Sequence, residues 1–198
     1  EKEIIFIAQF FKIIMCKQCE LNPVYEFTNK RKLCKNCFVN YFLKKLLYTI
    51  RKFKMIRTGD IIGYKKTNTL KGVVLGDLLF FFKKKYGTEI TELPSKKINK
   101  IASDSSLDSE SNEILSLIIE KNSADLEKEL PVEKNLIKPL YLFLDEEILL
   151  YAKIKNLKFK SEKIKKNKIN NFLNGFENKH PEVKRAVVNS LLELYEKK

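Results

Sequence analysis

The sequence predicts an α/β protein preceded by a small cysteine-bearing module, and three observations predict it. All four cysteines fall in one stretch, "CKQCELNPVYEFTNKRKLCKNC", from Cys16 to Cys37. A basic amphipathic pattern follows at 38–56. Then "TGDIIGYKKTNTLKGVVLGDLLFFFKKKYG", Thr58 to Gly87, reads as a short strand from Asp60 to Tyr64, a loop at 65–69 and an apolar helix ending at Gly87. Strand, loop, helix is how an α/β nucleotide-binding unit begins.

The cysteines form two CxxC pairs, Cys16/Cys19 and Cys34/Cys37, with fourteen residues between them. In a secreted chain such thiols form disulfides; in a cytosolic one this spacing makes a tetrahedral zinc site. A CxxC turn sets two thiolates on one side of a knuckle, and a second knuckle across a hairpin completes the set. Val24, Tyr25 and Phe27 favour strand and "TNKR" favours the turn, which suits that hairpin. The segment "IIFIAQFFKIIM" resembles a secretory core, but "EKE" is no basic flank and no small-residue cleavage site follows. Zinc bound by Cys16, Cys19, Cys34 and Cys37 is therefore expected. Four cysteine ligands leave no open position, so the role expected of it is structural. Met15 directly precedes Cys16, and residues 1–14 read as an upstream extension or a translation-start artefact.

The helical pattern at 38–56 lines up Phe38, Phe42, Leu46, Thr49 and Phe53 on one stripe, widened by Leu43, Leu47 and Ile50. Lys44, Lys45, Arg51, Lys52 and Lys54 lie largely off it, and the ribbon adds Lys30, Arg31, Lys32 and Lys35. No acidic residue interrupts the run from Phe38 to Arg57, so i,i+4 ion pairs within the helix do not account for it. The formal charge is +14, from 39 Lys+Arg against 25 Asp+Glu. An excess clustered in this way fits a phosphate-facing, RNA-binding surface; a solvated face and a lysine-rich coding bias are the alternatives. No stretch approaches the roughly eighteen apolar residues of a membrane span.

Farther on, "KIASDSSLDSESNEILSLII" (Lys100 to Ile119) looks like a strand end, a polar turn and a helix. By composition "ASDSSLDSES" reads as a mobile loop. Asp145, Glu146 and Glu147 suit a helix N-terminus, and His180, beside Pro181, suits a turn. Asp104 and Asp108 would hold Mg2+ only beside a bound nucleotide. The basic run Lys158 to Lys168 fits a solvated loop or an RNA contact equally.

A four-cysteine ribbon ending CxxCF, a basic helix, then "GD" and a strand resembles the tRNA thiolation proteins of the PP-loop ATP pyrophosphatase superfamily. Their catalytic members run from the strand into an SGGxDS loop whose backbone N–H groups wrap a phosphate. Here "YKKTNT" stands in its place, and Lys65, Lys66 and Thr67 form a degenerate nucleotide loop. "SDSSLD" replaces a GHNxDD-like motif; "KPLYLFLDEEILLY" resembles the final strand and helix that both subunits share, and the tail with its "KHP" turn is similar to that of the non-catalytic subunit. Over about residues 15–198 the chain is thus similar to the cytoplasmic tRNA 2-thiolation protein 2 family. It departs from that family between Gly87 and Asn99, where several elements shrink to a short link.

The resemblance implies a reduced, degenerate PP-loop-like α/β domain at 58–157, after a zinc ribbon at 15–37 and a linking helix at 38–57, with a basic loop and helical tail at 158–198. It implies a cytoplasmic, non-catalytic subunit, not itself an enzyme, that supports 2-thiolation of the wobble uridine. Its partners would be tRNA and a catalytic thiolase in a heterodimer, with sulfur from a ubiquitin-like carrier. With no thiol beyond the ribbon's four, no iron–sulfur cluster is expected, and no ATP in this chain. The alternatives are a diverged catalytic PP-loop thiolase and a generic zinc-ribbon RNA binder.

Overall fold

The computed structural model describes residues 15–161 and 168–196. Residues 1–14 and most of the basic run Lys158 to Lys168 lie outside the described residues. The chain divides into two compact units, 1–45 and 46–198.

In the first unit, β1 (Tyr25–Glu26) and β2 (Lys32–Leu33) pair antiparallel, Tyr25 opposite Leu33. The turn between them closes through the Lys30 N–H to the Phe27 carbonyl (2.8 Å), with Lys30 at φ 64°. This is the hairpin expected from "VYEF" and "TNKR". Helix α1 (Lys35–Lys52) follows at once. It begins inside the second CxxC rather than at Phe38, and it ends before Phe53 rather than at Ile56; Lys54, at φ 48°, turns the chain out of the helix. Phe38, Phe42, Leu46, Thr49 and Ile50 are buried, as the stripe requires.

The second unit is built on a five-stranded sheet of order β4-β3-β5-β7-β6. Strands β3 (Ile61–Tyr64), β4 (Glu89–Glu92), β5 (Lys100–Ala102) and β7 (Leu136–Ile137) run parallel, and β6 (Val132–Glu133) joins the edge antiparallel. The "GD" before β3 has a structural task. Gly59 takes φ 87°, and the Asp60 carboxylate accepts the Arg57 N–H (2.7 Å) and the Asn99 side-chain amide (3.1 Å). Helix α2 (Leu70–Tyr86) carries the chain from β3 to β4 and stops on Gly87 in the left-handed region, φ 69°. The presumed short link after Gly87 therefore holds strand β4. "TEITE" carries one apolar position, Ile90, among threonines and charges, too little for periodicity to mark as a strand.

Helix α3 (Leu107–Ile119) connects β5 to β7, a 3-10 turn at Ser123–Glu129 precedes β6, and α4 (Asp145–Ile154) follows β7. The tail forms α5 (Lys168–Glu177) and α6 (Val183–Glu196), with His180 in the turn, its N–H on the Phe176 carbonyl. Leu107, Ile114, Tyr141, Val188 and Leu191 make a core that ties α3 to the tail. The acidic triplet opens α4, where the Glu147 carboxylate accepts the Leu144 N–H at 2.9 Å.

The stretch "ASDSSLDSES" is not a loose loop. Ser106 caps α3, and four residues later the Glu110 side chain is buried against Lys138 at 2.8 Å, which also meets Glu129 at 3.1 Å. Composition misleads here because Ser106, Asp108 and Glu110 find partners on distant segments, Asp145, Lys184 and Lys138. Burial pushes the Glu110 carboxyl up to about 7, against the pull of Lys138. The folded chain then holds a proton that the unfolded chain releases near 4.5. Stability is accordingly greatest below that value and declines as pH rises towards about 7. Denaturant titrations across this interval should show the decline, and Glu110→Gln should flatten it; an unchanged slope in the variant would place the proton elsewhere.

Candidate functional site

Two places gather chemistry, one in each unit. In the first, the knuckle at 16–19 is closed by the Glu20 N–H on the Cys16 carbonyl (3.0 Å) and the Cys16 N–H on the Leu21 carbonyl (3.0 Å). Glu20, at φ 60°, reverses the chain. Cys34 precedes α1 and Cys37 lies in its first turn. The four Sγ atoms lie within 4.8 Å of one another, with Cys19 and Cys34 at 3.3 Å and Cys37 and Cys19 at 3.6 Å. None is in a disulfide. The structure brings the four cysteines into one cluster.

Four thiols this close cannot all ionise without a cation. Burial acts to raise the Cys16 thiol, but N–H groups of Cys34, Gln18 and Cys19 outweigh it and bring it down to about 6. Burial and the neighbouring sulfurs push Cys37 up to about 12. A bound cation removes that conflict by accepting all four as thiolates. Four soft sulfur donors select zinc or an iron–sulfur centre.

Of the expected RNA-facing residues, Lys30 and Lys32 both reach Glu26, at 3.6 and 3.3 Å. The Arg31 guanidinium stacks over Phe27, 4.2 Å from its centroid, and Lys45 lies over Tyr41 at 5.7 Å. Lys30, Arg31 and Lys32 line a cavity of about 540 Å³ with Cys16 and Lys17, a residue that its place in the sequence did not single out. Lys35 and Lys44 are exposed. In the second unit, Arg51, Lys52 and Lys54 are exposed too.

The second place is the edge formed by the carboxyl ends of the parallel strands. From β3 the chain crosses to β4 on one side, and from β5 to β7 on the other. The loops at 65–69 and 103–106 therefore flank a topological switch point, where open α/β sheets bind ligands. Thr69 caps α2 by accepting the Gly72 N–H (3.1 Å), and Thr67 bonds Thr69 at 2.9 Å. A Cβ on Gly72 would stand 1.8 Å from the Thr67 hydroxyl, so the glycine is what admits that threonine over the helix end. Lys66 pairs with Glu92 at 2.9 Å, and Lys65 is exposed. The Lys160 N–H donates to the Asn68 carbonyl at 2.7 Å, which fastens the loop to the segment after α4.

On the other side of the switch point, the Ser106 hydroxyl donates to Asp145 (2.5 Å), and Lys71 reaches both Asp145 (3.0 Å) and Ser109 (2.6 Å). Asp108 accepts Lys184 from the tail at 2.6 Å and the Asp145 N–H at 2.7 Å. Asp108, weighed above as a magnesium ligand beside nucleotide, is thus engaged with a cation of the chain itself. Lys71, Asp145 and Lys184 were not legible as site residues, because their partners stand far along the chain.

No protein-family model matches the sequence, and no curated protein does. Among solved structures, the chain is similar to the U34-tRNA thiolase NcsA from Methanococcus maripaludis with its [4Fe-4S] cluster. The TM-score is 0.76 at 18% identity, over 92% of this chain and 87% of that chain. The chain shares its fold with that structure. Among the described residues no helix is long and apolar enough to cross a membrane.

This likeness corrects two expectations. The expectation that the chain is not an enzyme rested on the altered loop at 65–69 and on the lack of a thiol beyond the four clustered ones. The fold of a thiolase nevertheless runs over 92% of the chain, and a helix N-terminus beside lysines attracts phosphate without paired glycines. The expectation of zinc with iron–sulfur excluded is overturned as well. The similar structure carries a [4Fe-4S] cluster, and four clustered cysteines are the donor set of such a cluster. Counting thiols could not separate the two, since both metals take the same ligands. Cys34→Ser should abolish metal binding and unfold residues 15–45, read as lost bound metal and new protease sensitivity there. Metal content equal to that of the unaltered chain would show that the four thiols do not act together.

Proposed function

We propose that this chain acts in 2-thiolation of the wobble uridine of tRNA, as a diverged thiolase of the PP-loop type. The supporting observation is the thiolase fold along 92% of the chain. Replacing a carbonyl oxygen of uracil by sulfur requires that oxygen to leave, which activation by ATP permits. The switch-point crevice is the place for that step in our reading. The α2 N-terminus and Lys65 attract phosphate, while Lys71 holds the Asp145 carboxylate at 3.0 Å. Cys16, Cys19, Cys34 and Cys37 hold an iron–sulfur cluster, which supplies a sulfur-binding metal centre when present. The substrate is tRNA and the setting the cytoplasm. A second thiolase subunit completes a heterodimer, and a ubiquitin-like carrier delivers sulfur.

Depleting the chain from its native cell should remove the 2-thio group from wobble uridines, measured by mass spectrometry of tRNA nucleosides. Unchanged thiolation would overturn the proposal. Iron and acid-labile sulfide should be found in protein purified without oxygen; a chain loaded with zinc alone would overturn the cluster.

The exposed cations of α1 position tRNA by its phosphates. Lys44→Glu with Arg51→Glu should weaken tRNA binding and lower the slope of log affinity against log salt by about 2. An unchanged slope would make this helix an ordinary solvated face.

A further inference from the structure

Helix α5 turns an unusual face to solvent. Phe172 and Phe176 are 63% and 41% exposed, although Leu173 between them is fully buried. Their rings stack at 5.9 Å with an interplanar angle of 18°, and the His180 ring continues the column at 4.6 Å and 29°. Residues 172, 176 and 180 are four apart, so they rise along one side of the helix and into its closing turn.

Gly175 lies on the same side. A side chain there would meet nothing within 4 Å, so the chain's own packing does not require a glycine. Glycine is the weakest helix former after proline, and this one opens the surface beside the rings. Exposed Lys179 lies in the turn that closes the helix, its N–H on the Phe176 carbonyl at 3.0 Å. The acid of this helix, Glu177, turns the other way and binds Lys184 at 2.6 Å.

We infer that the Phe172–Phe176–His180 column is a stacking platform for bases of single-stranded RNA. A base lies against the open ring of Phe172, the sugar–phosphate passes close over Gly175, and Lys179 meets a phosphate. Sequence-tolerant binding of unpaired nucleotides uses this pairing of aromatic faces and cations. The occupant is RNA rather than a protein helix because the face offers no apolar groove. Gly175 and Lys179 stand beside the rings in place of apolar side chains, and the chain carries a formal charge of +14. The inference rests on the tRNA reading above and adds a contact to it, one that engages unpaired bases of that RNA.

The test uses the full chain and a short unstructured RNA containing 2-aminopurine, whose fluorescence falls when it stacks. Binding should quench the probe. F172A with F176A should weaken affinity about ten-fold or more and abolish quenching, because base–aromatic stacking contributes roughly that much per base. F172Y with F176Y should retain both, which separates loss of the rings from loss of the fold. Equal affinity and quenching in the alanine variant would overturn the platform. So would a wild-type chain that never quenches, or an alanine variant that loses a protein partner while its RNA affinity stands. Each of these results can occur while depleted cells still lose wobble thiolation, so the platform and the thiolation proposal fail separately.

Discussion

The Asp108 carboxylate is the constraint on which the second unit most depends. One oxygen accepts Lys184 of α6 and the other accepts the N–H that begins α4, so a single side chain fixes three helices at the carboxyl edge of the sheet. Lys184 is nearly inaccessible, and its second partner is Glu177 of α5. Removing one member of such a group leaves a buried charge without its partner, at a cost of about 3–5 kcal/mol. The tail is thereby a part of the sheet's working edge and not an appendage to it. The Lys138, Glu110 and Glu129 cluster does the same on the opposite side of α3.

That network also shapes the crevice. In a phosphate-wrapping loop, glycines let the backbone approach the ligand; here Thr67 lies over the helix end and Lys66 is drawn to Glu92. The remaining attraction for anions comes from the helix dipole and from cations such as Lys65. The two faces of the switch point are joined through Asp145, which meets both Lys71 of α2 and Ser106 ahead of α3. A ligand entering between them must therefore compete with ion pairs already made within the chain.

The four-cysteine cluster obeys a different logic. Its members stand close in sequence, its knuckles are closed by backbone hydrogen bonds, and its geometry needs little from the rest of the chain. What it lacks alone is a countercharge. The opposed shifts of Cys16 and Cys37 express a site in which proton release at one sulfur is favoured and at another opposed. The donor set calls for a soft metal, and the identity of that metal is a property of softness and supply that spacing does not encode.

The sequence by itself determined whatever depends on near neighbours: the paired CxxC knuckles, the hairpin at "TNKR", the amphipathic stripe of α1, the cap of α2 on Gly87 and the start of α4 at the acidic triplet. Each is a local preference expressed within a few residues. Only the tertiary structure decided that "TEITE" is the edge strand β4, since pairing with β3 supplies what its own pattern does not. Only it turned "ASDSSLDSES" from a polar stretch into a cap and a buried ion-pair centre. The pairs Asp108–Lys184, Ser106–Asp145 and Tyr151–Asp77 span 76, 39 and 74 positions. A charged or polar side chain looks the same in sequence whether it meets water or a partner. The distinction is made by desolvation, and desolvation exists only once distant segments have come together.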